Sequence, residues 1–325
     1  MTDAPLLEVS GLAVAARSRR GDLEIVKGVD LIAAPGEAIG VVGESGSGKS
    51  LTMLAIMRLL APPLVINRGA VRFEGRDLTS LPERQMRTLR GDRLSMVYQD
   101  PMTSLNPLMR IGDQVTEAMT AHGVPRNQAR QRTMELLAQV ELPDPARIAR
   151  SYPHEYSGGM RQRAVIAMAL AMRPRLLIAD EPTTALDVTI QRQILAVVNQ
   201  LRRDLDMATI WVTHDLGVVA QLVERVVVMY GGLVVEEAPV DQLFHSPQHP
   251  YTSRLLASLP DPADEARPPL AQIPGRPPVA TDRIEGCPFQ PRCAQARDIC
   301  AVRPQLEPRL AGRVACWVPV EEWTA

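Results

Sequence analysis

The stretch Gly43-Glu44-Ser45-Gly46-Ser47-Gly48-Lys49-Ser50 constrains this chain more than any other, because a G-x-x-x-x-G-K-S loop works only at a strand-to-helix turn. Its flanks supply that turn. Ala38 to Val42 (AIGVV) reads as a buried strand and Ser50 to Leu60 (SLTMLAIMRLL) as a helix. Glycines in the loop let backbone N–H groups close on a polyphosphate, and the helix N-terminus adds its positive dipole end. Lys49 is then the charge that neutralises the β- and γ-phosphates, and the Ser50 hydroxyl is a Mg²⁺ ligand.

A chain of 325 residues with 46% apolar content has room for about two domains and a packed core. Lys and Arg number 36 against 37 Asp and Glu, so no general basic field points to nucleic acid or anionic lipid. The N-terminus (MTDAPLLEVS) lacks a basic segment followed by an apolar one, and the longest near-apolar stretch is Ala164 to Met172. That is far below the ~20 residues of a spanning helix, and the chain is expected in the cytoplasm.

Two β-like runs between Leu6 and Leu31, parted by a polar turn from Arg17 to Asp22, suggest a small antiparallel sheet. After the loop and its helix come Asn67-Arg68-Gly69, a strand at Ala70 to Phe73, a helix at Pro82 to Leu89 and a short strand at Leu94 to Tyr98. From about residue 100 the pattern turns helical, clearest at Gly112 to His122 and Arg126 to Val140, which reads as an insertion. Strands then resume at Arg175 to Ala179, Thr209 to Val212 and Arg225 to Met229, with helices near Ser157 to Met172 and Val188 to Leu205. Such alternation implies a parallel, doubly wound α/β core. Past Ser246 the composition changes: Pro260, Pro262, Pro268, Pro269, Pro274, Pro277 and Pro278 crowd a segment expected to be a linker or wrapping arm.

Later motifs narrow the chemistry. Leu176-Leu177-Ile178-Ala179-Asp180-Glu181 is an apolar strand ending in two acids, the first suited to Mg²⁺ and the second to polarising water. Tyr156-Ser157-Gly158-Gly159-Met160-Arg161-Gln162 lies one helix earlier and resembles the signature of ATP-binding-cassette (ABC) ATPases. Gln99 at a strand end, Asp187 in PTTALD and His214 in WVTHD follow the same family order, over roughly residues 6 to 245. The resemblance implies a P-loop NTPase core with an antiparallel β subdomain and a helical insertion of about residues 100–165. It also implies these roles: Gly43, Glu44, Ser45, Gly46, Ser47, Gly48 and Lys49 hold phosphate, and Ser50, Gln99 and Asp180 surround Mg²⁺. Glu181 is the general base, Gln99 senses metal and water, and His214 contacts the γ-phosphate. Ser157, Gly158, Gly159 and Asp187 serve ATP across a dimer, so a lone chain is expected to be a poor catalyst. Two departures stand out. Ala16, followed by Arg17, occupies the place where many members stack adenine on an aromatic ring, and Tyr156 stands where Leu is usual.

Finer wording, in residues 98–107 (YQDPMTSLNP), Tyr152-Pro153-His154-Glu155 and His249-Pro250-Tyr251-Thr252, resembles the D-type ATPases of oligopeptide, dipeptide and nickel importers. That resemblance implies an F-type ATPase as heterodimer partner, two permease subunits, an extracytoplasmic solute-binding protein and a place on the cytoplasmic face of the inner membrane. The cargo, peptide or nickel, stays open. A soluble ABC protein acting on ribosomes or DNA would favour tandem cassettes, a long coiled coil or a basic face, which the sequence lacks. His154 and His249 read as structural, His249-Pro250 as a helix start, and His122 and His245 carry no signal. Residues 246–325 form the expected extension, and all four cysteines lie there: Cys287, Cys293, Cys300 and Cys316. Disulfides do not suit a cytosolic ATPase, and the C-x-x-C pairs of zinc ribbons are absent. The spacing resembles the cluster-binding extension of peptide-importer ATPases, implying a [4Fe-4S] cluster; zinc and unligated thiols are the alternatives.

Overall fold

The computed structural model describes residues 4–19, 21–99, 104–183, 187–259, 272–282 and 284–323. Residues 100–103 after Gln99, residues 184–186 of PTTALD, Arg20 of the first turn, and Pro260, Pro262, Pro268 and Pro269 therefore lie outside the described residues. Its strands, in chain order, are β1 (Leu7–Ala16), β2 (Leu23–Ala33), β3 (Ala38–Val42), β4 (Leu64–Phe73), β5 (Arg76–Asp77) and β6 (Leu94–Val97). Then come β7 (Leu176–Asp180), β8 (Ala208–Val212), β9 (Arg225–Tyr230), β10 (Leu233–Pro239), β11 (Glu307–Arg309) and β12 (Gly312–Val314). The chain forms two compact units, one from the N-terminal residues through Ala33, Ala38–Thr79 and the chain from Val212 on, the other from Ala34–Glu37 and Ser80–Trp211.

In the first unit β1 pairs antiparallel with both β2 and β4, giving the order β2-β1-β4-β5. The expected small antiparallel sheet is present. Its third strand is longer than Ala70 to Phe73, because Leu64, Val65 and Ile66 pair with Ala16, Ala15 and Val14. Asn67-Arg68-Gly69 lies inside that strand, beside a register shift between Ser10 and Ala13, so a polar triplet that reads as a break is a bulge.

The rest of the unit is a sheet run of order β11-β12-β10-β9-β3. β3 is buried at all five positions and runs parallel to β9, as a strand apolar on both faces demands. β10 returns antiparallel to β9, and β12 of the extension adds to β10 through Glu236↔Val314 and Glu237↔Arg313. Nothing in the short charged segments EPR and GRV announces strands. β11 pairs with β12 from Glu307↔Val314 to Arg309↔Gly312, and Arg313 of β12 shares the Glu237 carboxylate of β10 with Arg225 of β9.

In the second unit β6 and β7 are parallel and β8 lies beside β7. Helices Ile111–Thr120, Arg126–Gln139 and Pro145–Arg150 lie where the sequence pattern turns helical, and Gly158–Ala169 and Val188–Leu205 are further helices of this unit.

Within the first unit, aromatic packing joins residues past 246 to β9. The chain has only five Tyr and three Phe, yet Tyr230, Tyr251 and Phe289 meet in one cluster, with centroids 4.5 Å apart for the two tyrosines and 5.3 Å from each to Phe289. All three rings are at most 1% exposed. Each such pair contributes about 0.5–1.5 kcal/mol beyond its buried area. Phe289→Ala is therefore expected to destabilise the protein by about 3–5 kcal/mol in denaturant unfolding, whereas a loss below ~1 kcal/mol would show that the extension docks by other contacts.

Candidate functional site

The phosphate loop leaves β3 and enters the helix Lys49–Ile56 through Gly48, whose φ of 101° is left-handed. Gly43 is obligatory for a second reason. A Cβ there would lie 2.1 Å from the Met229 carbonyl oxygen, so β9 itself excludes any side chain. Lys49 is 5% exposed, and its Nζ donates to the carbonyls of Gly43 at 2.7 Å and Glu44 at 3.0 Å. The ammonium is thereby folded back over the loop. The Ser47 hydroxyl is buried with no hydrogen-bond partner among the described residues, the kind of orphaned donor that a phosphate oxygen would satisfy. Ser50 follows at the start of the helix, half-buried. His214 belongs to the same unit, is exposed, and follows Thr213, whose N–H donates to Val41 of β3 at 3.2 Å.

The second unit holds the remaining motifs. β7 ends in Asp180, which is 6% exposed, and Glu181, whose φ of 45° puts a non-glycine residue in the left-handed region. Backbone of that kind costs about 1–3 kcal/mol and collects at active sites. The Gln99 amide Nε2 donates to Glu181 Oε2 at 3.1 Å, which joins residues 82 positions apart at the ends of β6 and β7. Ser157 caps the helix Gly158–Ala169 by accepting from the Met160 N–H at 3.5 Å, leaving Ser157 and Gly158 exposed at a helix N-terminus. Gly159 starts this helix against the next one, since a Cβ there would sit 2.7 Å from Ile190 Cγ2. Asp187 caps the helix Val188–Leu205 by accepting from the Ile190 N–H at 2.9 Å. Tyr156, the departure from Leu, donates its hydroxyl proton to Ser151 Oγ at 3.0 Å. Ala16 is half-buried near the end of the β1–β2 pairing, and Arg17 beside it is exposed.

His249 caps the helix Pro250–Ala257, its Nδ1 accepting from the Tyr251 N–H at 3.0 Å, in agreement with the helix start read from His249-Pro250. His154 is exposed and stacks on Tyr152 with centroids 5.8 Å apart. His245 Nδ1 lies 2.7 Å from the Asp241 carbonyl, within its own short helix.

Cys287, Cys293, Cys300 and Cys316 all line one small apolar cavity, together with His249, Phe289 and Trp317. None is in a disulfide. Burial pushes the Cys287 thiol up to about 11, and the negative charge that the other three would carry pushes the same way. Cys293 and Cys316 are likewise raised, first by burial. Burial therefore favours the protonated thiol at Cys287, Cys293 and Cys316 unless a bound cation compensates the charge. Among the described residues, no group of three or more His, Cys, Asp and Glu side chains has the geometry to hold a single metal ion.

Two residues touch the phosphate loop, Arg292, which sequence reasoning did not single out, and Tyr251, which it read only as part of the His249–Thr252 motif. Arg292 pairs with the Glu44 carboxylate, and the Tyr251 hydroxyl accepts from the Glu44 N–H at 2.8 Å. Both contacts span more than 200 residues, a distance over which no periodicity or spacing carries information.

Comparison with known families and proteins bears on this geometry. The family described as "ABC transporter" matches residues 26–184, and "Oligopeptide/dipeptide transporter, C-terminal region" matches residues 235–300. The oligopeptide transport ATP-binding protein OppD of Salmonella typhimurium is 48% identical over 319 residues, covering 98% of this chain and 95% of that protein. OppD of Bacillus subtilis is 49% identical over 296 residues, covering 90% and 83% respectively. Among solved structures, the dimeric post-hydrolysis state of the ATP-binding cassette MJ0796 bound to ADP and Pi matches with a TM-score of 0.65 and 27% identity, over 72% of this chain and 98% of that one.

The buried histidine gives the site region a pH dependence. Burial, with Arg309 nearby, pushes His249 down to about 3, so the folded state holds it neutral. A depressed histidine contributes stability that is complete above its unfolded value of about 6.5 and is lost as pH falls below it. Lowering the pH from 7.5 to 5.5 should therefore cost about 1.4 kcal/mol through this residue. Burial raises the nearby Glu236 carboxyl, which acts in the opposite sense, so the measurement is a comparison. His249→Asn retains a capping acceptor and should lose the acid-dependent part of the unfolding free energy; equal pH slopes in both proteins would refute the assignment.

Proposed function

The chain belongs to the ABC transporter ATPases that carry the oligopeptide/dipeptide transporter C-terminal region, and on that premise we propose that it is the ATP-hydrolysing subunit of an importer of peptides. In this reading residues 1–245 are the nucleotide-binding domain, with the helical subdomain at about 100–165, and residues 246–325 are the extension. The loop amides of residues 43–48 and Lys49 bind the ATP phosphates, exchanging the contacts that Lys49 makes with the Gly43 and Glu44 carbonyls. Ser50, Gln99 and Asp180 are the residues that would hold Mg²⁺, which when bound neutralises charge on the phosphates.

One contact carries the catalytic assignment: the Gln99 amide seated on Glu181 at the end of β7. Glu181 is the base that takes the proton of the attacking water, Gln99 orients that carboxylate and the water, and His214 contacts the γ-phosphate. Ser157, Gly158 and Gly159 present a capped helix N-terminus to the ATP of a second subunit, with Asp187 at the same interface. ATP between two subunits then favours the closed pair, and loss of the γ-phosphate reopens it.

The partners in this reading are an F-type ATPase, two permease subunits and, through them, a solute-binding protein, with the chain held peripherally on the cytoplasmic face of the inner membrane. Among the described residues no helix is long and apolar enough to cross a membrane. Support for permease docking comes from an open groove in the second unit lined by Met96, Tyr98, Ala118, Val165 and Met168.

The four cysteines fit a [4Fe-4S] cluster by donor type, since four soft sulfurs share one cavity. Such a cluster would cross-link the extension internally.

In the assembled importer Glu181→Gln should retain ATP binding while turnover and uptake of a labelled oligopeptide both fall by ~10²-fold or more. Near-normal turnover would remove Glu181 as the base, and lost turnover with normal peptide uptake would remove the transport role. For the cysteines, anaerobic purification should yield about four irons and four sulfides per chain, reduced in Cys293→Ser. Stoichiometric zinc, or no metal at all, would make the thiols a scaffold.

A further inference from the structure

The cysteine-bearing extension reaches the phosphate loop through one side chain. Arg292 ends the 3-10 turn Gln290–Arg292, which Cys287 and Cys293 bracket in sequence, and its side chain is 5% exposed. Nη1 donates to Glu44 Oε2 at 2.6 Å and Nη2 to Glu44 Oε1 at 3.1 Å, a two-pronged contact that a lysine cannot reproduce. Other guanidinium hydrogens go to the Tyr230 hydroxyl at 3.0 Å, the Pro274 carbonyl at 2.8 Å and the Ile273 carbonyl at 3.1 Å. So Arg292 is itself anchored, and Glu44 is what it anchors. The same Glu44 is held at its N–H by Tyr251 and touches the Lys49 ammonium through its carbonyl. A carboxylate in a loop that receives a polyphosphate would repel it, and the guanidinium cancels that charge while fixing the backbone between Gly43 and Ser45.

We propose that Arg292 is a positioning residue for the nucleotide: through its pair with Glu44, the extension holds the phosphate loop in its binding shape. This rests on residues 43–50 being the ATP site.

The test is the Kd for Mg-ATP of the full-length chain at low temperature, where the variants are folded, with the melting temperature of each recorded separately. Arg292→Met is expected to raise Kd by ~10-fold, and adding Glu44→Gln should leave Kd there or lower it, because the pair is already broken and the unpaired carboxylate is gone. Arg292→Lys keeps the charge without the fork and should stay nearer the Met variant than the wild type. A Kd for Arg292→Met within about twofold of wild type, or a double variant showing the product of the two single effects, would overturn the proposal. So would full recovery by lysine, which would leave charge alone as the cause. Should Arg292→Met fail to fold, Glu44→Gln by itself decides, with at least a ~3-fold rise expected and no change overturning the proposal. Lys49→Ala is measured alongside: binding that survives it would sink the loop assignment itself, whereas binding lost there but unchanged in Arg292→Met would sink only the role of Arg292.

Discussion

A loop that grips phosphate with its backbone has no side-chain geometry of its own to rely on, so its shape has to be imposed from outside. Here β9 and the extension impose it. The Met229 carbonyl occupies the space where a Cβ of residue 43 would be, so the chain turns there as glycine or not at all. The next residue is bonded at its amide by Tyr251 and at its carboxylate by Arg292, while its carbonyl and that of Gly43 hold the Lys49 ammonium. A backbone already held in place lowers the reorganisation cost of any ligand that it receives.

In the second unit the chemistry is arranged by strand ends and helix starts. β6 and β7 run parallel, so their C-terminal ends fall side by side and bring Gln99 against Glu181. That is where parallel α/β sheets present their functional groups, at the carboxyl ends of the strands. The left-handed Glu181 departs from the comfortable extended backbone of the strand before it, and its carboxylate is still gripped by the Gln99 amide. Ser157 and Asp187 both cap helices, so each fixes local structure as well as lying in a motif. Loss of either side chain would remove the cap of the helix that it starts.

The extension does more than decorate the core. Its β12 continues the sheet through β10, two arginines on flanking strands share the buried Glu237 carboxylate, and Glu236 accepts from the N–H groups of Gln248 at 2.7 Å and His249 at 2.9 Å. A buried carboxylate without such donors would be costly, and here its lone pairs are occupied. Phe289, His249 and the four thiols then line one cavity, so the same packing that secures the extension also gathers its cysteines.

Much of this was written in local sequence. β3 and the start of its helix, the antiparallel β1–β2 pair, the Val188–Leu205 helix and the helix beginning at Pro250 all follow from apolar periodicity, turn residues and caps acting over a few positions. So do the identities of Lys49, Asp180 and Glu181, since glycine spacing and an acidic strand end are local patterns. The register that lengthens β4, the charged strands β11 and β12, the contact of Gln99 with Glu181 and the pairing of Arg292 with Glu44 were not legible there. Each depends on a partner far away in the chain, and for such short or polar segments the partner supplies the stabilising contacts that the segment lacks. Sequence alone determined which residues carry charge and where the chain can turn, because those properties belong to single residues and their neighbours. Only the tertiary structure decided which carboxylate each amide and guanidinium meets, because hydrogen bonds and ion pairs act over about 3 Å of space regardless of separation along the chain.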